Sequence, residues 1–493
     1  MLKDDSRMRY IDLGVILAYL AGITWFGAQF RRSQKSLKDY FLGGRTAPWW
    51  AISLSIVSAE TSTLTIISTP ALAFGGNLAF LQLVLGYLLA RIVICILLLP
   101  HYFRGEMFTA YELMRRRFGE RIRRLTASIF LVTRALAEGV RVAAIALVVS
   151  VVLGVGQTAA IVLIVALTLL YTFEGGMTAV IWTDVVQMGL YVLGAGLSFI
   201  LILNRIPGGW AHMAAVASPA HKLAVFDFRF SPTLDFLSRK YTFWAGLAGG
   251  CFLTTASHGT DQLMVQRLLS ARNESESRRA LLSSWVVIFL QFTLFLLIGV
   301  ALYVYYADRG LTPPAKLDRV YPQFLWNSLP AGVSGLAIAA ILAAAMANLS
   351  AALNSLASTT VVDFFSGKAR SVRLARLATA GWAIVMLPIA IRASQSQSVL
   401  ETGLTIASIP SGILLGVFLL GVLTKRPGER AAMAGAIAGL CAILYVWRWT
   451  PIAYTWYVLI GSMATLAAAM AASLFERRPP RGAAAEAANV TER

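Results

Sequence analysis

The sequence predicts an all-α polytopic membrane protein of thirteen transmembrane helices, and three observations carry that reading. Of 493 residues, 58% are hydrophobic and only 14% charged, a balance outside the range of soluble domains. The apolar residues arrive in runs long enough to cross a bilayer as helices, separated by short polar joints. The net charge of +19 would suggest nucleic acid in a soluble chain, but here it sorts by loop and reports topology instead. Spans are expected near 10–30, 48–74, 78–103, 124–153, 157–173, 178–204, 241–258, 280–305, 331–362, 374–393, 398–422, 430–447 and 453–475. Arg31, Arg32, Lys35, Lys38 and Arg45 follow the first span, and Arg115, Arg116, Arg117, Arg121, Arg123 and Arg124 follow the third. Keeping both clusters in the cytoplasm places the N-terminus outside the inner or plasma membrane and the C-terminus inside.

Taken in order, the first span is followed by more positive charge than precedes it and lacks a small-residue cleavage site, so it reads as a retained helix. The second, residues 48–75, is the stretch around which the chain is organised. Between Ser55 and Thr65 it carries six hydroxyls and the carboxylate of Glu60. Polar groups at mid-depth predict a helix that unwinds there and turns backbone carbonyls and hydroxyls toward a site between helices; tight hydroxyl-rich packing is the plainer alternative. The third span buries Arg91. The fourth sets Arg134, Glu138 and Arg141 at i, i+4 and i+7, on one face of one helix. Three charges on one stripe cannot face hydrocarbon. They form either an internal ion-pair network or a surplus positive charge that an anionic solute group or another buried carboxylate would neutralise.

Tyr171–Gly176 is a tight turn into the sixth span, where Asp184 lies about two turns deep. It is read as a site residue or a hydrogen-bonded structural carboxylate. Residues 207–240 form an outer loop. The seventh span repeats the pattern of the second, with Thr254, Thr255, Ser257, His258, Thr260 and Asp261 interrupting its apolar run. His258 is either a satisfied interior histidine or a ligand or proton carrier. Two interrupted helices separated by an odd number of spans run in opposite directions, the signature of an inverted repeat of five helices each. The ninth span is dense in Ala, Ser and Asn, which permits close helix approach; Asn348, Ser350, Asn354 and Ser355 add polar atoms that packing does not require. Cys95, Cys251 and Cys441 sit alone in apolar spans, so neither a disulfide framework nor a metal-ligand spacing is expected.

Five stretches together resemble the sodium:solute symporter family: AspTyrPheLeuGlyGlyArg at 39–45, ValIleTrpThrAspValValGln at 180–187, ThrAspGlnLeuMetValGlnArg at 260–267, AsnSerLeuAlaSerThr at 354–359 and LeuGlyValPheLeuLeuGlyValLeuThrLysArg at 415–426. The resemblance implies a 5+5 inverted-repeat transporter core with one extra helix before it and two after, and alternating access driven by Na+. Aligned on Pro70, it would draw sodium ligands from Ser58 and Thr61 and, on the ninth span, from Ala344, Ala347 and Asn348. Family members usually present two hydroxyls at the last two positions, where this chain has a methyl group and an amide. A second sodium or proton site would use Asp184 and Ser350. The solute site would lie beside the breaks, among Glu60, Ser62, Thr65, Val84, Gln82, Arg134, Glu138, Arg141, Thr254, Ser257 and His258.

The expected units are 1–47 (first helix and cytoplasmic loop), 48–206 and 241–423 (the two repeats), 424–475 (two further helices) and 476–493 (tail). The function expected is sodium-coupled import of a small polar organic solute, with membrane lipids and that solute as partners and no nucleic acid. Proton-coupled or ion-independent transport is the alternative within the class, and a non-transporting solute sensor the alternative outside it. No nucleophile–base pair or phosphate-cradling loop suggests an enzyme.

Overall fold

The computed structural model describes all residues except 1–4, 31–35, 106, 154, 232, 316, 366–370, 395–398 and 477–493. The basic residues at 31–35 and the tail from 477 therefore lie outside the described residues. Those described form helices joined by turns and loops, with no strand among them. Helix α1 spans Asp5–Ala28, and a short α2 (Leu37–Leu42) follows, started by a capping box between Ser36 and Asp39. Then come α3 (Trp49–Glu60), α4 (Thr63–Gly75) and α5 (Leu81–Val93). A π-turn at Ile94–Leu98 leads α5 into α6 (Leu99–Tyr102), where Pro100 removes one helical donor.

After α7 (Tyr111–Phe118) and α8 (Glu120–Leu153), α9 runs from Gln157 to Leu203 and is broken at Gly176, whose φ of 55° and ψ of −151° no helix contains. That break is the expected turn between the fifth and sixth spans. The outer loop holds α10 (Gly209–Ala217) and α11 (Leu234–Ser238). Next are α12 (Gly250–Gly259), α13 (Gln262–Leu269), α14 (Glu274–Asp308) and α15 (Val320–Ser328). The chain closes with α16 (Val333–Phe364), α17 (Val372–Ser394), α18 (Val399–Leu423), α19 (Glu429–Trp449) and α20 (Tyr457–Ala472).

Eight of the helical segments described are each long and apolar enough to cross a bilayer, and α3 with α4 make a ninth if counted as one bent span.

Helix α16 is the axis. Its most apolar window is 94% buried, and its face of Ala, Ser and Gly lets α1, α8, α9 and α17 close around it. Its N-terminus is held by a side chain from the first helix: Asp12 accepts from the backbone of Gly332 (2.7 Å) and Gly335 (2.7 Å) and from Ser334 Oγ (2.8 Å). A carboxylate there satisfies open N–H groups and complements the helix dipole. Close backbone approach recurs on the other side of the bundle, where a Cβ on Gly299 of α14 would lie 2.1 Å from the carbonyl oxygen of Pro70 in α4. Gly299→Ala is accordingly expected to push α4 off α14 and destabilise by about 1–3 kcal/mol. Thermal unfolding in detergent reads this, and an unchanged midpoint would refute the packing assignment.

Candidate functional site

Both helices read as interrupted are broken, and at the expected places. Helix α3 ends at Glu60, Thr61 and Ser62 are extended (ψ 100° and 162°), and α4 restarts with a capping box between Ser62 and Thr65. The two halves meet at 63°. Helix α12 ends at Gly259, Asp261 is extended (ψ 125°), and its side chain starts α13 by accepting from Leu263 N at 2.9 Å. Each break leaves backbone groups without helical partners, and charged side chains from neighbouring helices gather on them.

At the first break, Glu60 Oε2 accepts from Arg91 Nη2 (2.6 Å) and lies 3.2 Å from His258 Nε2. Arg91 is wholly buried, Glu60 11% exposed. The guanidinium spends its other donors on Ser284 Oγ (3.0 Å) and the Tyr87 carbonyl (3.3 Å). His258 Nδ1 is 2.9 Å from Ser257 Oγ. Thus Glu60, Ser257 and His258, named separately in the sequence, form one cluster that joins the two breaks.

At the second break the stripe on α8 finds its counter-charge. Glu138 accepts from Arg134 (3.2 Å) and from Arg141, while Arg134 also pairs with Asp261. The surplus positive charge that the sequence leaves on α8 is therefore met by a second, half-buried carboxylate, and the four side chains are balanced. Arg134, Arg141 and Asp261 border a cavity of about 170 Å³ whose wall also includes Ser257, Thr260 and Tyr454.

A third cluster surrounds Thr61. Asn348 Nδ2 donates to the Thr61 carbonyl (2.7 Å) and to that of Ala344 (3.0 Å). Gln291 Nε2 donates to Thr61 Oγ1 at 2.6 Å. The amide oxygens of Asn348 and Gln291 are buried without a hydrogen-bond partner among the described residues. Two hard oxygen atoms without partners beside two backbone carbonyls are chemistry that suits Na+. Ser58 and Ala347 are fully buried nearby in sequence, Ala347 offering only its carbonyl, which accepts from Ser350 Oγ (3.0 Å).

Asp184 is not isolated. Its Oδ2 accepts from Arg267 Nη2 (2.7 Å) and Ser55 Oγ (2.5 Å), with both charged residues essentially unexposed. Arg267 further donates to Leu263 O (2.7 Å) and the Ser55 hydroxyl (2.8 Å), tying α13 to α3 and α9. Ser350 turns to its own helix. Among the remaining candidates, Ser62 and Thr65 bond to each other, Thr254 is buried with its carbonyl 3.4 Å from Ser257 Oγ, the Val84 carbonyl accepts from Trp285 Nε1 (2.9 Å), and Gln82 tethers the outer loop through Asp227 N and Tyr241 O. Sequence reading missed Arg267 and Asp261 as charge partners. The signal available was the run ThrAspGlnLeuMetValGlnArg, two charges immediately after a polar break.

The sequence model of the sodium:solute symporter family matches residues 40–439. This chain belongs to that family. Membership makes it a sodium-coupled solute symporter, a multi-pass membrane transporter. The sodium/sialic acid symporter SiaT of Proteus mirabilis is 28% identical over 482 residues, 94% of this chain and 95% of that protein. The human sodium/iodide cotransporter is 28% identical, over 88% of this chain and 69% of its own. Among solved structures, the substrate-bound, outward-open state of a Na+-coupled sialic acid symporter superposes with a TM-score of 0.85 at 27% identity, covering 95% of this chain and 98% of that one. A nucleobase-cation-symport-1 family transporter in a closed conformation has a TM-score of 0.57 at 13% identity and shares the fold.

Proposed function

We propose that this symporter imports a small polar organic solute, bound in the cavity at the second break, by alternating access of a thirteen-helix, 5+5 inverted-repeat bundle. The observation that carries the reading is the cavity itself: mid-helix, bordered by Arg134, Arg141, Asp261 and Ser257, and linked through His258 to Glu60 at the other break. Residues 48–206 and 241–423 are the two repeats, α1 and residues 424–475 flank them, and the N-terminus lies outside the cell. The balanced pair of guanidinium and carboxylate groups serves a hydroxylated acid well, because a solute carboxylate can exchange with Glu138 or Asp261 on a guanidinium. Sodium rides at Thr61, with the Ala344 carbonyl and the Asn348 and Gln291 amides around it and Ser58 and Ala347 completing the neighbourhood. Asp184, with Ser350, serves a second sodium or a proton only once Arg267 releases it.

Sialic acid, the substrate in the names of two curated relatives, is the first solute to test. Purified protein in proteoliposomes is expected to accumulate labelled sialic acid under an inward sodium gradient and not when choline replaces sodium. Undiminished uptake in choline would remove sodium coupling. Failure to take up sialic acid, with sodium-driven uptake of a short monocarboxylate instead, would move the solute class to that of the monocarboxylate relatives. One observation favours ion-independent or proton-coupled transport as a second reading: the Asn348 amide nitrogen already satisfies Thr61 O and Ala344 O.

A further inference from the structure

The cluster of Arg91, Glu60, His258 and Ser257 fixes more than charge. Glu60 Oε2 receives Arg91 Nη2 at 2.6 Å and faces His258 Nε2 at 3.2 Å. An ionised carboxylate only accepts, so the imidazole nitrogen toward it must carry the proton. Arg91 is buried and already balances Glu60, and Asp261, three residues beyond His258, is turned to Arg134. A second positive charge on the ring would leave this buried cluster with an excess cation, so the balanced state is the neutral ring. A neutral ring with Nε2–H has a bare Nδ1. Ser257 Oγ stands 2.9 Å from that nitrogen and 3.4 Å from its other acceptor, the Thr254 carbonyl. Its hydrogen therefore goes to Nδ1, and what the hydroxyl presents to the cavity it lines is lone pairs alone.

We propose that His258 is a positioning residue that sets solute specificity, holding Ser257 as an obligate hydrogen-bond acceptor so that the cavity selects solutes with a hydroxyl or N–H donor at that point. The proposal rests on the cavity being the solute site. It separates from that assignment in the test, because the tautomer is read without solute.

The full chain labelled with ¹⁵N-histidine in nanodiscs has four histidines, and the resonance of His258 is the one lost in His258→Gln. The expected result is a neutral ring protonated at Nε2, retained in Ser257→Ala. Protonation at Nδ1, or at both nitrogens at pH 7, would overturn the proposal whatever the solute. In the second arm, sialic acid analogues with one hydroxyl at a time replaced by fluorine compete with labelled sialic acid for uptake. One position is expected to lose roughly three- to tenfold in affinity, the size of one neutral hydrogen bond, in the unaltered protein and in Ser257→Thr, and to lose nothing in Ser257→Ala. Equal losses at every position in Ser257→Ala and the unaltered protein would refute Ser257 as the acceptor. If sialic acid is not carried at all, the solute assignment fails and the ring tautomer alone decides.

Discussion

Arg91→Leu is expected to destabilise the folded protein by about 3–5 kcal/mol, the range for removing one partner of a buried ion pair, and to abolish uptake. The size follows from what is left behind. Glu60 closes α3, where the helix dipole presents its negative end and a carboxylate is disfavoured. Without the guanidinium its remaining partner is His258 at 3.2 Å, which supplies a hydrogen bond and no fixed charge. The Ser284 hydroxyl and the Tyr87 carbonyl, held by the same guanidinium, lose a donor as well. Adding Glu60→Gln removes the unpaired charge, so the double variant should regain most of the thermal stability. It should not regain transport, because the link from the first break to His258 and the cavity has lost its anion. Unfolding midpoints and proteoliposome uptake of the two singles and the double test this together. A single Arg91→Leu variant as stable as the parent would show that the pair does not hold the break, and full uptake by the double would show that the charge is irrelevant to function.

The same cluster shows what the sequence disclosed and what it withheld. Both breaks were legible, because a lipid-facing helix has no use for hydroxyls and a carboxylate at mid-depth, and the dense polar runs at Ser55–Thr65 and Thr254–Asp261 must turn inward toward protein or water. Arg91, Glu60, Asp184 and the α8 stripe were legible as costly intramembrane charges for the same reason. Their pairings were not. Glu60 and Arg91 are 31 positions apart and Asp184 and Arg267 are 83 apart; helical periodicity relates residues on one helix and is silent on which helices meet. The partner of Asp184 was not legible because it stands on α13, a stretch too short and polar to count as part of a span, yet buried along its whole length. The i, i+4, i+7 spacing did yield the Arg134–Glu138–Arg141 contacts, since those lie within one helix, but the neutralising Asp261 comes from across the second break.

Asn348, with Ala347, stands where the family resemblance implies a hydroxyl, and replacing it should change the ion dependence more than any other single substitution. The two hydrogens of its amide nitrogen are both spent, on Thr61 O at 2.7 Å and Ala344 O at 3.0 Å. A sodium ion drawing on those carbonyls competes with the amide hydrogens for their lone pairs, and any turn of the amide away from the ion gives up hydrogen bonds worth about 0.5–1.5 kcal/mol each. Serine at 348 has one hydrogen, which an interior helical serine gives to the carbonyl four residues back, here Ala344. Thr61 O is then free, and a hydroxyl oxygen replaces the amide. Asn348→Ser is therefore expected to lower the sodium concentration for half-maximal uptake by roughly tenfold, the equivalent of about 1.4 kcal/mol. Asn348→Leu, which strips the donor and adds none, leaves the Thr61 carbonyl at the break unsatisfied, a cost of about 1–3 kcal/mol, while Ala344 O keeps its helical N–H partner, and should weaken both fold and uptake. The pair of variants also decides between the two transport readings. If the parent is sodium-driven, Asn348→Ser sharpens an existing dependence; if the parent is indifferent to sodium because the amide stands in for the ion, dependence appears only in the serine variant. An unchanged sodium response in Asn348→Ser, alongside normal uptake, would mean that Thr61 and Ala344 are not ion ligands in this chain.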